Sequence, residues 1–210
     1  DLRPRVLVVS SAEVYGSVPS ELMPITEEMP LAPSNPYSVS KVAQDMLGLQ
    51  YFLSHQIPVI RVRPFNHIGP GQSTAFAAGS FAMQIARIER GLQPAVIEVG
   101  NLSPARDFSD VRDVMAAYYL ALAHGQPGDV FNICSGQART IQEVLDILLG
   151  YSTAKVEVRV DPSRLRIVDR PLVVGSAARL RAATGWEPVI PLEQSMRDVL
   201  DDCRARLGAV

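Results

Sequence analysis

Tyr37 and Lys41 stand four residues apart in the run Tyr37-Ser38-Val39-Ser40-Lys41. On a helix that spacing puts two side chains on one face, with Cβ atoms ~5–6 Å apart. A phenol ordinarily titrates near 10 and is a poor acid or base at neutral pH. A fixed ammonium close by favours the phenolate and draws a phenol toward the working range of acid–base chemistry. Alone, the pattern is common by chance and reads first as an exposed helical pair. Its context is Ser10-Ser11-Ala12-Glu13-Val14-Tyr15-Gly16, which follows the apolar run Val6-Leu7-Val8-Val9 and sets Ser11 twenty-six positions before Tyr37. In parallel α/β sheets, ligands collect beyond the C-terminal ends of the strands. A serine hydroxyl there can bond the same oxygen that Tyr37 protonates. Ser11 by itself is also an ordinary turn or cap residue, and Glu13 is either a solvated loop carboxylate or a base.

These side chains need a scaffold, and the pattern supplies one. Val6 to Val9 reads as a strand of the kind that fills the centre of a parallel sheet. A proline-rich loop runs from Val18 to Pro36, and Ser34 or Asn35 can cap a helix from Pro36 to Ser54. Val59-Ile60-Arg61-Val62-Arg63 is the next strand. Strand, helix and strand in this order make a right-handed βαβ unit. Further on, helices are expected near 76–91, 110–124, 140–149, 177–184 and 192–207, with Thr140 and Glu143 in capping-box register. Strands are expected at 95–99, 130–134 and 155–160, the last alternating as a half-buried strand.

Composition excludes several classes. The chain has 210 residues, 47% hydrophobic and 20% charged, with a formal net charge of -2 and a pI near 5.9. No basic surplus points to nucleic acid or an anionic membrane. No apolar stretch approaches the ~20 residues of a membrane span, and a cytoplasmic protein is the expectation. Cys134 and Cys203 form no disulfide framework and match no metal-ligand spacing, and Cys134, in Val130-Phe131-Asn132-Ile133-Cys134, reads as a buried thiol.

The serine segment ending Tyr15-Gly16, the Tyr37-x-x-x-Lys41 pair and the later Arg106-Asp107-Phe108 together resemble the extended short-chain dehydrogenase/reductase family, which modifies nucleotide-diphosphate sugars. The resemblance extends over essentially the whole chain. It implies NADP or NAD as cofactor, Tyr37 as proton donor or acceptor at the sugar C4 oxygen, Lys41 on the nicotinamide ribose, and Ser11 on the C4 oxygen. It further implies Asn66 at the substrate diphosphate, Phe65 and His67 beside the nicotinamide, and Arg106 and Arg166 gripping the diphosphate, a task suited to the planar guanidinium fork. Ala12 replaces the acid that dTDP-glucose 4,6-dehydratases carry after their catalytic hydroxyl. Arg63-Pro64-Phe65-Asn66-His67-Ile68-Gly69-Pro70-Gly71-Gln72 most resembles reductases of GDP-4-keto-6-deoxy-mannose. The implied activity is NAD(P)H-dependent reduction of the C4 keto group of a GDP-6-deoxy-4-keto-hexose. A 4-epimerase, a GDP-mannose 4,6-dehydratase and a non-catalytic sugar-nucleotide-binding fragment are the alternatives.

The implied fold class is α/β, the C-terminal part of a Rossmann-type parallel sheet with a smaller substrate-binding α/β subdomain. Residues 1–70 and 110–135 are assigned to the cofactor domain, and 71–109 and 136–210 to the nucleotide-sugar subdomain. The sequence has no G-x-x-G-x-x-G, begins at Asp1 without Met, and enters its first strand almost at once. The expectation is therefore an N-terminal glycine-rich half outside this chain, the chain alone being inactive, and a homodimer for the full-length enzyme.

Overall fold

Asn35 starts the helix that carries the Tyr–Lys pair. Its side chain accepts from the Ser38 amide at 2.8 Å, and the Ser38 hydroxyl accepts from the Asn35 amide at 3.1 Å. This reciprocal cap satisfies two of the amides that a helix start leaves without partners. Pro36 occupies the first turn, and the helix α1 (Pro36–His55) ends where Gln56 turns left-handed at φ 54°. The structure is a computed structural model that describes residues 4–165 and 170–208. The strands are β1 (Val6–Val9), β2 (Val59–Pro64), β3 (Asn66–Ile68), β4 (Val96–Val99), β5 (Ala105–Asp110), β6 (Val130–Ile133), β7 (Ala138–Thr140), β8 (Glu157–Val160) and β9 (Leu172–Val173). The other helices are α2 (Ala77–Glu89), α3 (Val111–His124), α4 (Ile141–Gly150), α5 (Ala178–Thr184) and α6 (Leu192–Gly208). The class is α/β with parallel sheets, as the pattern implied.

Two compact units divide the chain. The first comprises Asp1–His67, Asp107–Gln137 and Val173–Val189. Its sheet runs β1-β2-β6, all parallel, with Val6 opposite Val59 and Arg61 opposite Val130. Successive residues of a strand face opposite sides, so β2 serves two layers. Val59, Arg61 and Arg63 face α1, where Gly48 approaches so closely that a Cβ would lie 3.0 Å from Val8 and 3.3 Å from Val59. Ile60 and Val62 face the other way, into a core with Val114, Ala117 and Ala121 of α3 and Leu180 of α5. Each fully buried aliphatic side chain there contributes roughly 1.5–3 kcal/mol. Among the described residues the central strand is therefore β2 and not the Val6–Val9 run, whose strand β1 has one partner there and leaves Val6 38% exposed.

The second unit comprises Ile68–Arg106, Ala138–Leu172 and Ile190–Val210. Helices α2, α4 and α6 pack together, burying Ile85, Leu145, Leu148, Met196 and Leu200. Arg204 of α6 clamps Glu89 at the end of α2, at 2.8 and 2.7 Å, and reaches the Tyr151 carbonyl at 2.9 Å. The Thr140–Glu143 capping box forms as its spacing requires. Strands β4 and β8 pair in parallel.

Two departures from the sequence pattern have physical reasons. Strand β8 was expected to be half-buried, yet all four of its residues are exposed; its partner is the single strand β4, and alternating Val158 and Val160 find no layer to enter. The segment Val173–Val189 belongs to the first unit because Val173, Ala177, Leu180 and Trp186 are buried in that unit's core, whereas the expected division counted all of 136–210 with the second. The indole N–H of Trp186 donates to the Asp113 carbonyl at 3.0 Å, which fixes the ring against α3.

Candidate active site

Strands β1 and β2 are parallel, so their C-terminal ends lie along one edge of the sheet. Beyond β1 the chain turns at Ser10 and Ser11 into a short 3-10 turn, Ala12–Tyr15, with Ser11 as its N-cap and the Ser11 hydroxyl accepting from the Glu13 amide at 3.2 Å. Gly16 closes the turn at φ 65°, pressed against the Ala32 carbonyl so tightly that no Cβ fits. Glycine is required there by both conformation and space.

Helix α1 is tied to this strand end by two bonds. The Ser10 hydroxyl donates to the Lys41 carbonyl at 3.2 Å, and the Lys41 ammonium donates to the Val9 carbonyl at 3.0 Å. A further bond joins Lys41 to Gln44 Oε1 at 3.0 Å. Two of the three ammonium hydrogens are thereby used, which holds the charge at the sheet edge and leaves the third for a hydroxyl of a ligand. Lys41 Nζ lies 5.9 Å from the centre of the Tyr37 ring. Tyr37 itself is 54% exposed. The structure thus brings Ser11, Glu13, Tyr37 and Lys41 to one end of one strand–helix pair, with the phenol open to an incoming molecule.

The next strand contributes differently from residue to residue. Phe65 is buried, its ring lying against the Cα of Gly175. Asn66 and His67 are exposed just beyond it, with His67 Nδ1 3.1 Å from the Phe65 carbonyl. Arg106 belongs to the second unit and donates to the carbonyls of Ala105 and Arg170, at 2.9 and 2.7 Å. Arg166 lies outside the described residues. Asp107, next to Arg106, is wholly buried; its carboxylate accepts from the Ser135 amide and hydroxyl at 2.7 and 2.6 Å, and from the amides of Gly136 and Gly175 at 2.9 and 3.2 Å. Burial raises its pKa despite those bonds. In Arg106-Asp107-Phe108 the aspartate is therefore a backbone staple.

What the pattern did not disclose lies beneath these residues. Asp45, eight positions after Tyr37 on α1, is buried and accepts from Arg61 Nη1 at 2.8 Å and from Arg63 Nε and Nη2 at 2.8 and 3.3 Å. Arg63 Nη1 donates to the Tyr15 hydroxyl at 2.9 Å, and Tyr15 donates to Asn132 Oδ1 at 2.7 Å. Burial pushes the Tyr15 phenol up to about 12, against the pull of Arg63. The available signal was two arginines inside an apolar strand, since such charges are almost never fully buried without partners.

The family model described as GDP-mannose 4,6 dehydratase matches residues 2–199. The chain is 45% identical over 201 residues to the GDP-6-deoxy-D-mannose reductase of Pseudomonas aeruginosa, covering 96% of this chain and 66% of that protein. It is 30% identical over 211 residues to a GDP-mannose 4,6-dehydratase of Sordaria araneosa, covering 89% of this chain and 38% of the relative. The structure of RMD from Pseudomonas aeruginosa complexed with NADPH superposes with a TM-score of 0.91 at 44% identity, covering 95% of this chain and 66% of that one. That of dTDP-glucose 4,6-dehydratase from Bacillus anthracis in complex with NAD gives 0.80 at 28% identity, covering 97% and 63%. The chain thus spans less than two thirds of the length of each of these proteins.

Proposed function

The chain belongs to the GDP-mannose 4,6-dehydratase family, and from that premise we propose that it carries the acid and sugar-binding side of an enzyme that reduces the C4 keto group of a GDP-6-deoxy-4-keto-hexose with NADPH or NADH. The observation that carries this reading is the exposed Tyr37 phenol beside a Lys41 ammonium pinned to the end of β1. The 45% identity to a reductase of this kind supports it.

The nicotinamide cofactor supplies the hydride. Lys41 suits its ribose, because its ammonium is held at the end of β1 by the Val9 carbonyl and Gln44. Tyr37 gives its proton to the C4 oxygen as that oxygen gains charge, and Ser11 holds the same oxygen in line. The phenolate that remains is stabilised by the nearby ammonium. In this reading His67 borders the nicotinamide with Phe65 as the packed wall behind it, Asn66 meets the diphosphate, and Arg106 and Arg166 grip the nucleotide sugar.

The test is oxidation of NAD(P)H by the protein carrying this sequence, supplied with GDP-4-keto-6-deoxy-mannose. Reduction consumes one cofactor per product, and Tyr37→Phe removes it while substrate binding persists. Glu13 keeps one other reading in play. It lies two residues after Ser11 in the same turn, and a carboxylate is the group a dehydratase uses as its base. Water loss from GDP-mannose with no net cofactor consumption would select that reading.

A second copy of the chain is the proposed partner. On α1, Val39, Met46 and Leu53 are 54%, 37% and 62% exposed at seven-residue spacing, an apolar stripe suited to a facing helix. Sedimentation of the protein with charged residues at these positions would show whether a dimer is lost. Among the described residues no helix is long and apolar enough to cross a membrane, and the free, buried Cys134 and Cys203 suit a reducing cytoplasm.

A further inference from the structure

We infer that Arg63 is a positioning residue for the reaction proposed above: its guanidinium sets the place of the Ser11 segment relative to the helix that carries Tyr37 and Lys41. The proposal rests on that reading of the site.

Two segments meet at this one side chain, and a third is joined to it through Tyr15. Nη1 bonds the Tyr15 hydroxyl, at the end of the turn that Ser11 begins. Nε and Nη2 bond the two oxygens of Asp45, which lies on α1 one turn beyond Lys41 and two beyond Tyr37. The guanidinium carbon also lies 5.1 Å from the centre of the Tyr15 ring, so the turn is held by its face as well as its hydroxyl. Through Tyr15 the link reaches β6, where Asn132 Oδ1 accepts from Tyr15 at 2.7 Å, the Asn132 backbone N–H donates to the Glu27 carboxylate at 2.7 Å, and Asn132 Nδ2 donates to the Ile25 carbonyl at 3.0 Å.

Stability is a poor reason for this arrangement. Arg61, Arg63, Asp45, Tyr15 and Asn132 are each at most 6% exposed. One carboxylate serves two guanidiniums, and Arg61 Nε has no hydrogen-bond partner among the described residues. Desolvation consumes most of what such pairs gain, and apolar side chains of equal volume often serve as well or better. Apolar packing, however, tolerates sliding, whereas a guanidinium fork admits one geometry for a carboxylate and a phenol at once. Ser11 and Tyr37 must meet one oxygen from two different elements. A shift of about 1 Å between them is enough to lose about a hundredfold in rate.

Tyr15→Phe removes the hydroxyl link and leaves the Arg63–Asp45 pair in place. Its kcat for keto-sugar reduction is expected to fall about tenfold or more with KM unchanged. In a Ser11→Ala background the same substitution is expected to cost nothing further, because its effect runs through Ser11. Losses that simply multiply, or an unchanged kcat in Tyr15→Phe, overturn the proposal. Amide hydrogen exchange reads the linkage without turnover. Tyr15→Phe should speed exchange across Ser11–Gly16 and leave the first turns of α1 unchanged, while Arg63→Met should speed both. Exchange identical to the parent in both variants overturns the linkage even in an active protein. A parent that reduces no keto sugar but shows this exchange pattern overturns the reaction assignment alone.

Discussion

Asp45→Asn isolates the charge at the centre of the first unit, because amide and carboxylate have nearly the same shape. The carboxylate side chain is 0% exposed, and the guanidiniums it serves are 7% and 4% exposed, each with a bond of 2.8 Å to it. Removing one partner of a buried pair costs about 3–5 kcal/mol, since the charge left behind has neither water nor counter-ion. Arg63 cannot escape by losing its proton, because a guanidinium stays protonated in proteins. For a chain of this length each kcal/mol moves the melting midpoint by roughly 2–4 °C, so a fall of roughly 10 °C or more is expected in calorimetry at neutral pH. Acid titration gives an independent check. Burial opposes ionisation of Asp45, yet the bonds and charges of Arg63 and Arg61 outweigh it and hold the carboxyl below its usual range. A folded pKa below the unfolded one means the stabilisation is complete above the unfolded value, near 4, and is lost as pH falls through the folded value. The gap between parent and variant should therefore narrow toward acid pH. A loss under about 1 kcal/mol, or a gap independent of pH, would refute the reasoning.

Other consequences follow from single residues. Tyr37→Phe should lower kcat about 10²–10⁴-fold, the usual range for removing a general acid, with the affinity for the GDP-sugar retained in calorimetric titration; an active variant would remove Tyr37 from the acid role. Gly16→Ala should destabilise the first unit by more than the roughly 1–3 kcal/mol of left-handed strain, because the Ala32 carbonyl must also move; a urea midpoint equal to the parent's would contradict this. Cys134 is fully buried, and burial pushes its thiol well above the usual range. Iodoacetamide should therefore leave it unmodified in the native protein and alkylate it only on unfolding, as mass spectrometry would show.

The sequence determined most of the first unit's skeleton, because its signals are local. Asn35, Pro36 and the Val59–Arg63 run state where a helix begins and where a strand lies, and capping and β-branching depend on neighbours a few residues away. Thr140 and Glu143 announced α4 for the same reason. Strand β5 was invisible to such reading, since its buried residues are Asp107, Ser109 and Asp110 and no apolar alternation marks it. The return of Val173–Val189 to the first core is likewise a long-range event, decided by where Leu180 and Trp186 find apolar partners. Tyr37 and Lys41 were legible as a pair from their spacing, and Ser11 as their companion from its place after a strand. Only the tertiary structure decided what holds them: Lys41 is fixed by a carbonyl of β1, thirty-two positions away in sequence. Asp45 and the two arginines of β2 read as isolated charges until the parallel pairing set the strand under the helix and left them no water to face.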